Sequence, residues 1–275
     1  MKLLLSVLMF FQSIFALQEK VVKTDKILNE VDVPIVMYHH IEENEDILND
    51  FMVTPKKLEN DIKKIKDMGY VPVSYMELYD FVNNGGTLPD KPILITFDDG
   101  YESNYTYLYP LLKRYDMKAT ISVIGKMVGK DTCDGVPTYK HFTYDEAKEM
   151  YNSGLVEIQT HTYSLHDINN RVGIKIKDGE NEETYKELVA NDITKSVAEL
   201  TNEVGSEKLV FTYPYGAYDD LTESILKDLG FEITVTTDSG INHIKRGEKD
   251  TLLKLKRYNI TNNTELEKIL GEIHE

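Results

Sequence analysis

Two aspartates stand side by side at the end of an apolar run, Ile93-Leu94-Ile95-Thr96-Phe97-Asp98-Asp99-Gly100. Adjacent carboxylates repel, so a divalent cation held by one of them would offset the cost and leave the other to act as a base. Asp-Asp-Gly alone is also a common polar turn. A second run, Leu155 to Thr160, leads into His161-Thr162-Tyr163-Ser164-Leu165-His166. Imidazoles at this spacing do not share a helix face, but a loop can turn both toward one ion. With one aspartate they would make a two-histidine, one-carboxylate site with open positions. A third run ends in Tyr213-Pro214-Tyr215-Gly216, where proline keeps Tyr213 extended and Gly216 permits a sharp turn. Backbone amides exposed near Tyr215 could bind an oxyanion. A fourth run, Val36-Met37-Tyr38, ends in His39-His40, and a histidine can protonate a leaving amine near neutral pH. Alternation along a strand would aim only one of that pair at the site. Each stretch alone has a structural explanation as a turn or an ordinary histidine; metal binding becomes the better reading of the histidines because two of them meet one strand end.

The elements that must position these residues alternate. Candidate strands are Pro34 to Tyr38, Ile93 to Phe97, Ala119 to Ile124, Leu155 to Thr160, Leu209 to Tyr213 and Phe231 to Thr236, short apolar runs suited to strands covered on both faces. Between them, Leu58, Ile62, Ile65 and Met68 fall at helical spacing, with Thr54 as N-cap and Gly69 as stop. Helical patterns follow at Asn104 to Tyr115, Tyr144 to Asn152, Glu182 to Val204, Asp219 to Leu229 and Thr264 to Leu270. Repeated β-then-α units predict an α/β fold with a parallel sheet, open or closed into a barrel. The polar, glycine-containing segment from Asp167 to Glu183 reads as a surface loop that either borders the substrate site or is an inert excursion.

The chain has 275 residues, 41% of them hydrophobic, enough for one large core. Met1-Lys2 followed by the apolar Leu3 to Phe11 and a small residue at Ala16 reads as an export signal over residues 1–17 or as a retained membrane anchor. Residues 18–32 are polar and read as a linker, leaving 33–275 as the domain. A single cysteine, Cys133, excludes an internal disulfide, and its neighbours Asp131 and Asp134 disfavour the thiolate a nucleophile needs. The net charge of −16, without a basic patch, argues against a nucleic-acid partner.

Taken together, the four stretches resemble the polysaccharide deacetylases of carbohydrate esterase family 4, the NodB-homology domain, over about Val33 to Ile260. The resemblance implies a distorted (β/α) barrel of about seven parallel strands. It also implies a hydrolase of carbon–nitrogen bonds other than peptide bonds, releasing acetate from an N-acetylglucosamine polysaccharide. Thr-Phe-Asp-Asp-Gly matches the family's first motif, which makes Asp98 the base and Asp99 a ligand of a divalent metal, Zn²⁺ or a similar ion, with His161 and His166. The histidine spacing is one residue longer than the common form and, with Met-Tyr-His-His-Ile, is similar to the branch acting on poly-β-1,6-N-acetylglucosamine. There His39, rather than His40, would be the acid. Peptidoglycan, chitin or xylan stay open as substrates, as do a silent carbohydrate-binding homologue and an adhesion domain with an incidental metal. The resemblance implies that the Tyr215 amide contacts the oxyanion and that Tyr163, Pro214 and Tyr215 border the substrate. Two departures stand out. Thr212 occupies the position of an expected arginine, for which Arg257 is the replacement, and no tryptophan is present to wall the acetyl pocket. The protein is expected to be exported and monomeric, with membrane association through the leader if it is retained.

Overall fold

The computed structural model describes residues 29–273 except Asp134. The expected leader and most of the linker lie outside the described residues. In chain order the strands are β1 (Glu30–Val33), β2 (Ile35–Tyr38), β3 (His40–Ile41), β4 (Met52–Val53), β5 (Val71–Pro72), β6 (Pro92–Asp99) and β7 (Ala119–Val123). They continue with β8 (Thr132–Cys133), β9 (Val136–Pro137), β10 (Val156–Thr160), β11 (Val210–Thr212), β12 (Ile233–Val235), β13 (Asn242–Lys245) and β14 (Tyr258–Asn259). The α-helices are α1 (Pro55–Asp67), α2 (Tyr75–Asn83), α3 (Tyr109–Tyr115), α4 (Tyr144–Asn152), α5 (Glu182–Glu203), α6 (Asp220–Asp228) and α7 (Leu266–Glu272).

Seven parallel strands run in the order β12-β11-β10-β7-β6-β2-β14, with β5 paired alongside β6. The sheet curls until its far edge meets the segment entering β14. There Val235 bridges Leu255, Leu255 N donates to Thr234 O and Thr236 N donates to Leu255 O, both at 2.8 Å. The same segment pairs with β2 on its other side through Tyr258 and Asn259. One short stretch therefore closes a distorted barrel, as the resemblance implies.

Side chains alternate between the two faces of each strand. Outward residues such as Val36, Ile95, Phe97, Ile121, Val123 and Ile158 pack under α1, α3 and α4 through Leu58, Ile62, Leu112 and Met150. A neighbouring cluster joins Phe211 and Tyr213 to Tyr185, Val189 and Ile193 of α5 and Ile225 and Leu226 of α6. Inward residues change character along the barrel axis. Near the amino ends of the strands Ile35, Leu94, Val210 and Ile233 meet Leu78, Phe81 and Val82 of α2, which fills that end. Further up, Thr96, Ser122 and Thr212 face inward, with Ser122 Oγ and Thr212 Oγ1 2.7 Å apart. The interior thus turns polar toward the carboxyl ends, where βα loops carry function.

Several expectations need correction. The linker ends before residue 30, because Glu30–Val33 is β1 and pairs antiparallel with β13. The strand expected to stop at Phe97 runs on through Asp99. The helix expected over Asn104 to Tyr115 opens as a π-helical turn, Asn104–Leu108, ahead of Pro110, which lacks an N–H to continue the ladder. The loop from Asp167 ends at Asn181, whose side chain caps α5, and it is anchored rather than loose. Arg171 pairs with Glu180 and donates to Lys175 O at 2.8 Å, and Ile174 is buried. Helix α2, absent from the sequence reading, starts with a capping box in which Ser74 Oγ accepts from Glu77 N while Glu77 accepts from Ser74 N. Ser74→Ala should cost about 1 kcal/mol of stability, measured as a lowered urea midpoint with unchanged slope.

Candidate active site

Asp98 and Asp99 are the last residues of β6, and the turn that follows is tight: Asp99 has φ +72° and Gly100 φ +84°. A left-handed aspartate carries strain on the order of 1–3 kcal/mol, and with it Asp99 borders the same cavity as its strand neighbour Asp98. Asp98 faces the barrel interior. Arg257, from the closing segment and 1% exposed, grips it with Nη1 on Oδ1 and Nη2 on Oδ2, both at 2.7 Å. Arg257 Nε donates to Thr236 O at 2.8 Å, so the guanidinium is itself fixed by the barrel edge. Burial alone would raise the Asp98 carboxyl. The charge and hydrogen bonds of Arg257, with His161 and His39 nearby, outweigh it and hold Asp98 far below the usual carboxylate range.

Three groups converge on Asp99. Its Oδ1 lies 3.7 Å from His161 Nε2 and 3.4 Å from His166 Nε2, is buried, and has no hydrogen-bond partner. One ligand atom from each of Asp99, His161 and His166 falls within 4.8 Å of the others. Nitrogen and oxygen ligands about 2.0–2.1 Å from a tetrahedral ion sit roughly 3.3 Å apart, so the set suits a small divalent cation. The ring orientations agree. His161 Nδ1 donates to Thr212 O at 2.8 Å, which leaves Nε2 a bare lone pair on the Asp99 side. His166 Nδ1 lies 3.2 Å from the Tyr215 hydroxyl, and its Nε2 also turns to Asp99. The chemistry of the donor set therefore fits a metal.

The two neighbouring histidines separate as alternation demands. His39 Nε2 lies 4.0 Å from Asp98 Oδ2, and its Nδ1 is buried without a partner. His40 is engaged elsewhere: Ser103 Oγ accepts from Ile41 N and so donates to His40 Nδ1 at 3.0 Å, while Nε2 faces Glu42 at 3.4 Å. Burial lowers the His40 pKa despite Glu42.

Two adjoining cavities, about 490 and about 600 Å³, open over these groups and share Asp99, Tyr101, His166 and Tyr215 as a common wall. The first is bordered by His39, Phe51, Met52, Tyr139 and Asn259, the second by Lys126, His141, Ser164 and Ile168 to Asn170. Both are of ligand-pocket size. Phe51, Tyr101, Tyr139 and Tyr215 supply the aromatic wall for which no tryptophan exists. Tyr215 reaches it because its own φ is +58°.

Two of the expected substrate contacts are not in the cleft. Tyr163 lines neither cavity; its ring lies under Lys195 Nζ at 3.6 Å on the α5 side. Pro214 is buried and aims Tyr215 rather than touching the cleft. Thr212, where an arginine was expected, contributes its carbonyl to His161 and its hydroxyl to Ser122, while Arg257 takes the place beside Asp98. Tyr101, Phe51 and His141 were not singled out from sequence. Tyr101 directly follows Asp-Asp-Gly, which is a usable signal; Phe51 and His141 sit in stretches with none.

A family profile described as polysaccharide deacetylase matches residues 85–234. The chain belongs to the polysaccharide deacetylase family. The expected enzyme class, a hydrolase of carbon–nitrogen bonds, follows from that membership. The chain is 31% identical over 219 residues to "Putative polysaccharide deacetylase YxkH" of Bacillus subtilis, covering 80% of this chain and 68% of that protein. It is 25% identical over 259 residues to "Poly-beta-1,6-N-acetyl-D-glucosamine N-deacetylase" of Escherichia coli, covering 86% of this chain but spanning 38% of that protein's length. Among solved structures, IcaB from Ammonifex degensii superposes with a TM-score of 0.74 at 23% identity, covering 89% of this chain and 98% of that one, which shows the shared fold.

Removing Arg257 would strand a buried carboxylate, so Arg257→Ala should lose roughly 3–5 kcal/mol in chemical denaturation. Asp98→Asn combined with Arg257→Met should recover much of it. Burial pushes the His161 imidazole down to about 4. Its neutral form is the one the fold accommodates, so the unfolded chain binds the extra proton between the two pKa values. The chelator-treated protein should then lose stability as pH falls from about 6.5 toward about 4, by on the order of 3 kcal/mol. Melting curves across that range should show the loss, and His161→Gln should flatten it.

Proposed function

We propose that the protein is a metal-dependent N-deacetylase of N-acetylglucosamine polysaccharide, with poly-β-1,6-N-acetylglucosamine as its substrate. The observation that carries the reading is the convergence of Asp99, His161 and His166 on one point beside a carboxylate locked by Arg257. The similarity to the Escherichia coli poly-β-1,6-N-acetyl-D-glucosamine N-deacetylase supports the choice of polymer.

An ion held by Asp99, His161 and His166, Zn²⁺ or similar, would polarise the acetamide carbonyl and acidify a water. Asp98 is the base. Arg257 keeps it ionised across the working range but also makes it weak, so it suits a water already more acidic than bulk. The carboxylate stays oriented because both oxygens are pinned. The Tyr215 amide faces the developing oxyanion; the next two amides, of Gly216 and Ala217, are already taken by Tyr213 O and Pro214 O. His39, whose Nε2 lies 4.0 Å from Asp98 Oδ2, delivers the proton to the departing sugar nitrogen. Phe51, 57% exposed with its ring 5.1 Å from His39, offers an apolar platform for a sugar face. The leader-like Met1 to Ala16 supports export, to the envelope or beyond, where such a polymer is found.

Asp98→Asn should abolish acetate release from a β-1,6-linked N-acetylglucosamine oligomer while leaving metal content unchanged; full activity in that variant would refute the base assignment. Parallel incubations with peptidoglycan, chitin oligomers and acetylated xylan identify the polymer by the acetate each yields. Phe51→Ala should raise KM about fivefold with kcat within a factor of two, in line with loss of a stacking contact worth about 1 kcal/mol.

A further inference from the structure

We infer that Asp192 of α5 is a positioning residue for the metal-binding loop, fixing the backbone between His161 and His166 so that His166 meets Asp99. The inference rests on the metal site proposed above.

Asp192 is buried, and both carboxylate oxygens are spent on that loop. Oδ1 accepts from Tyr163 N at 2.8 Å; Oδ2 accepts from Ser164 N at 2.8 Å and from Ser164 Oγ at 2.6 Å. Burying a carboxylate is costly unless donors surround it, and three donors from two consecutive residues meet that need. The opposite side of the loop is held through its carbonyls: Gly125 N donates to Thr162 O at 3.0 Å and Lys126 N to Tyr163 O at 2.8 Å. The approach is close enough that a Cβ on Gly125 would lie 2.8 Å from the Tyr163 ring. Between these two grips Thr162 takes φ +71°, the bend that reverses the chain after His161.

The two histidines depend on this clamp unequally. His161 stands at the end of β10, its amide bonded to Val123 O and its ring to Thr212 O. His166 follows the bend, and beyond Asp99 its ring has the partly exposed Tyr215 hydroxyl as its hydrogen-bond partner. Its position is therefore set by the path of residues 162 to 165, which Asp192 defines. A longer spacing between ligands leaves more backbone to restrain, and Asp192 restrains the middle of it.

The test measures Zn²⁺ affinity by competition with a chromogenic chelator, alongside melting of the chelator-stripped protein. Asparagine can accept from one amide but sets its NH₂ against the other donors. Asp192→Asn should thus weaken Zn²⁺ binding roughly 10–100-fold while the stripped protein still unfolds cooperatively. Ser164→Ala, which removes one of the three donors, should weaken it roughly three- to tenfold and serves if the first variant does not fold. Affinity within twofold of the parent in a folded variant overturns the inference, including where melting alone is lowered. A parent that takes up no stoichiometric Zn²⁺, or whose uptake is unchanged by His161→Ala, overturns the metal site as well; unchanged affinity in the Asp192 variant overturns the positioning role alone.

Discussion

The structure turns on two opposite charges withdrawn from water inside the barrel. Asp98 and Arg257 are joined by two hydrogen bonds of 2.7 Å, and neither could be buried there without the other. Because Arg257 Nε is tied to Thr236 O, the pair fastens the end of β6 to the seam where β12 meets the segment entering β14. Closing the barrel and orienting the carboxylate are one event. The interaction also sets the character of Asp98: always ionised, rigid and weakly basic.

Around that pair the barrel separates stability from chemistry along its axis. The amino end is filled with apolar side chains from β2, β6, β11 and β12 against α2, whose first amides are held by the Glu157 carboxylate of β10. The carboxyl end spends backbone strain, at Asp99, Thr162 and Tyr215, on aiming side chains into a common space. Such strain persists because each strained residue ends or closely follows a strand that is covered on both faces. The loops then add what strands alone cannot: the Thr212 carbonyl, which sets the tautomer of His161, and the Asp192 carboxylate, which holds the backbone leading to His166.

Much of this was legible in the residues. The apolar runs gave six of the seven strands of the barrel because fully covered strands are unbroken hydrophobic stretches, and Thr54 and Gly69 bounded α1 by ordinary capping chemistry. The chemistry-bearing pairs were readable because each sits directly at a strand end. What escaped has physical reasons. The strand was expected to stop at Phe97 because acids are poor strand formers, and pairing with Ser122 and Val123 carries Asp98 and Asp99 into β6. Strands β1 and β13 each offer four alternating residues, too few to stand out from loop. Among 18 tyrosines, local sequence favoured Tyr163, which lies between the histidines, over Tyr101. The left-handed Thr162 and the pull of Asp192 turn Tyr163 away from the cleft, and neither is visible in a linear pattern.

The separation between Asp98 and Arg257, 159 residues along the chain, bears on how the molecule comes into being. A ribosome delivers β6 long before it delivers the residue that neutralises it. Until the closing segment emerges, the nascent sheet carries an open edge and an uncompensated acid in its interior, so the barrel stays unfinished until the last of its described strands. A chain cut short before that segment would expose both defects at once, and folding therefore comes with its own check that Asp98 and Arg257 have been made together.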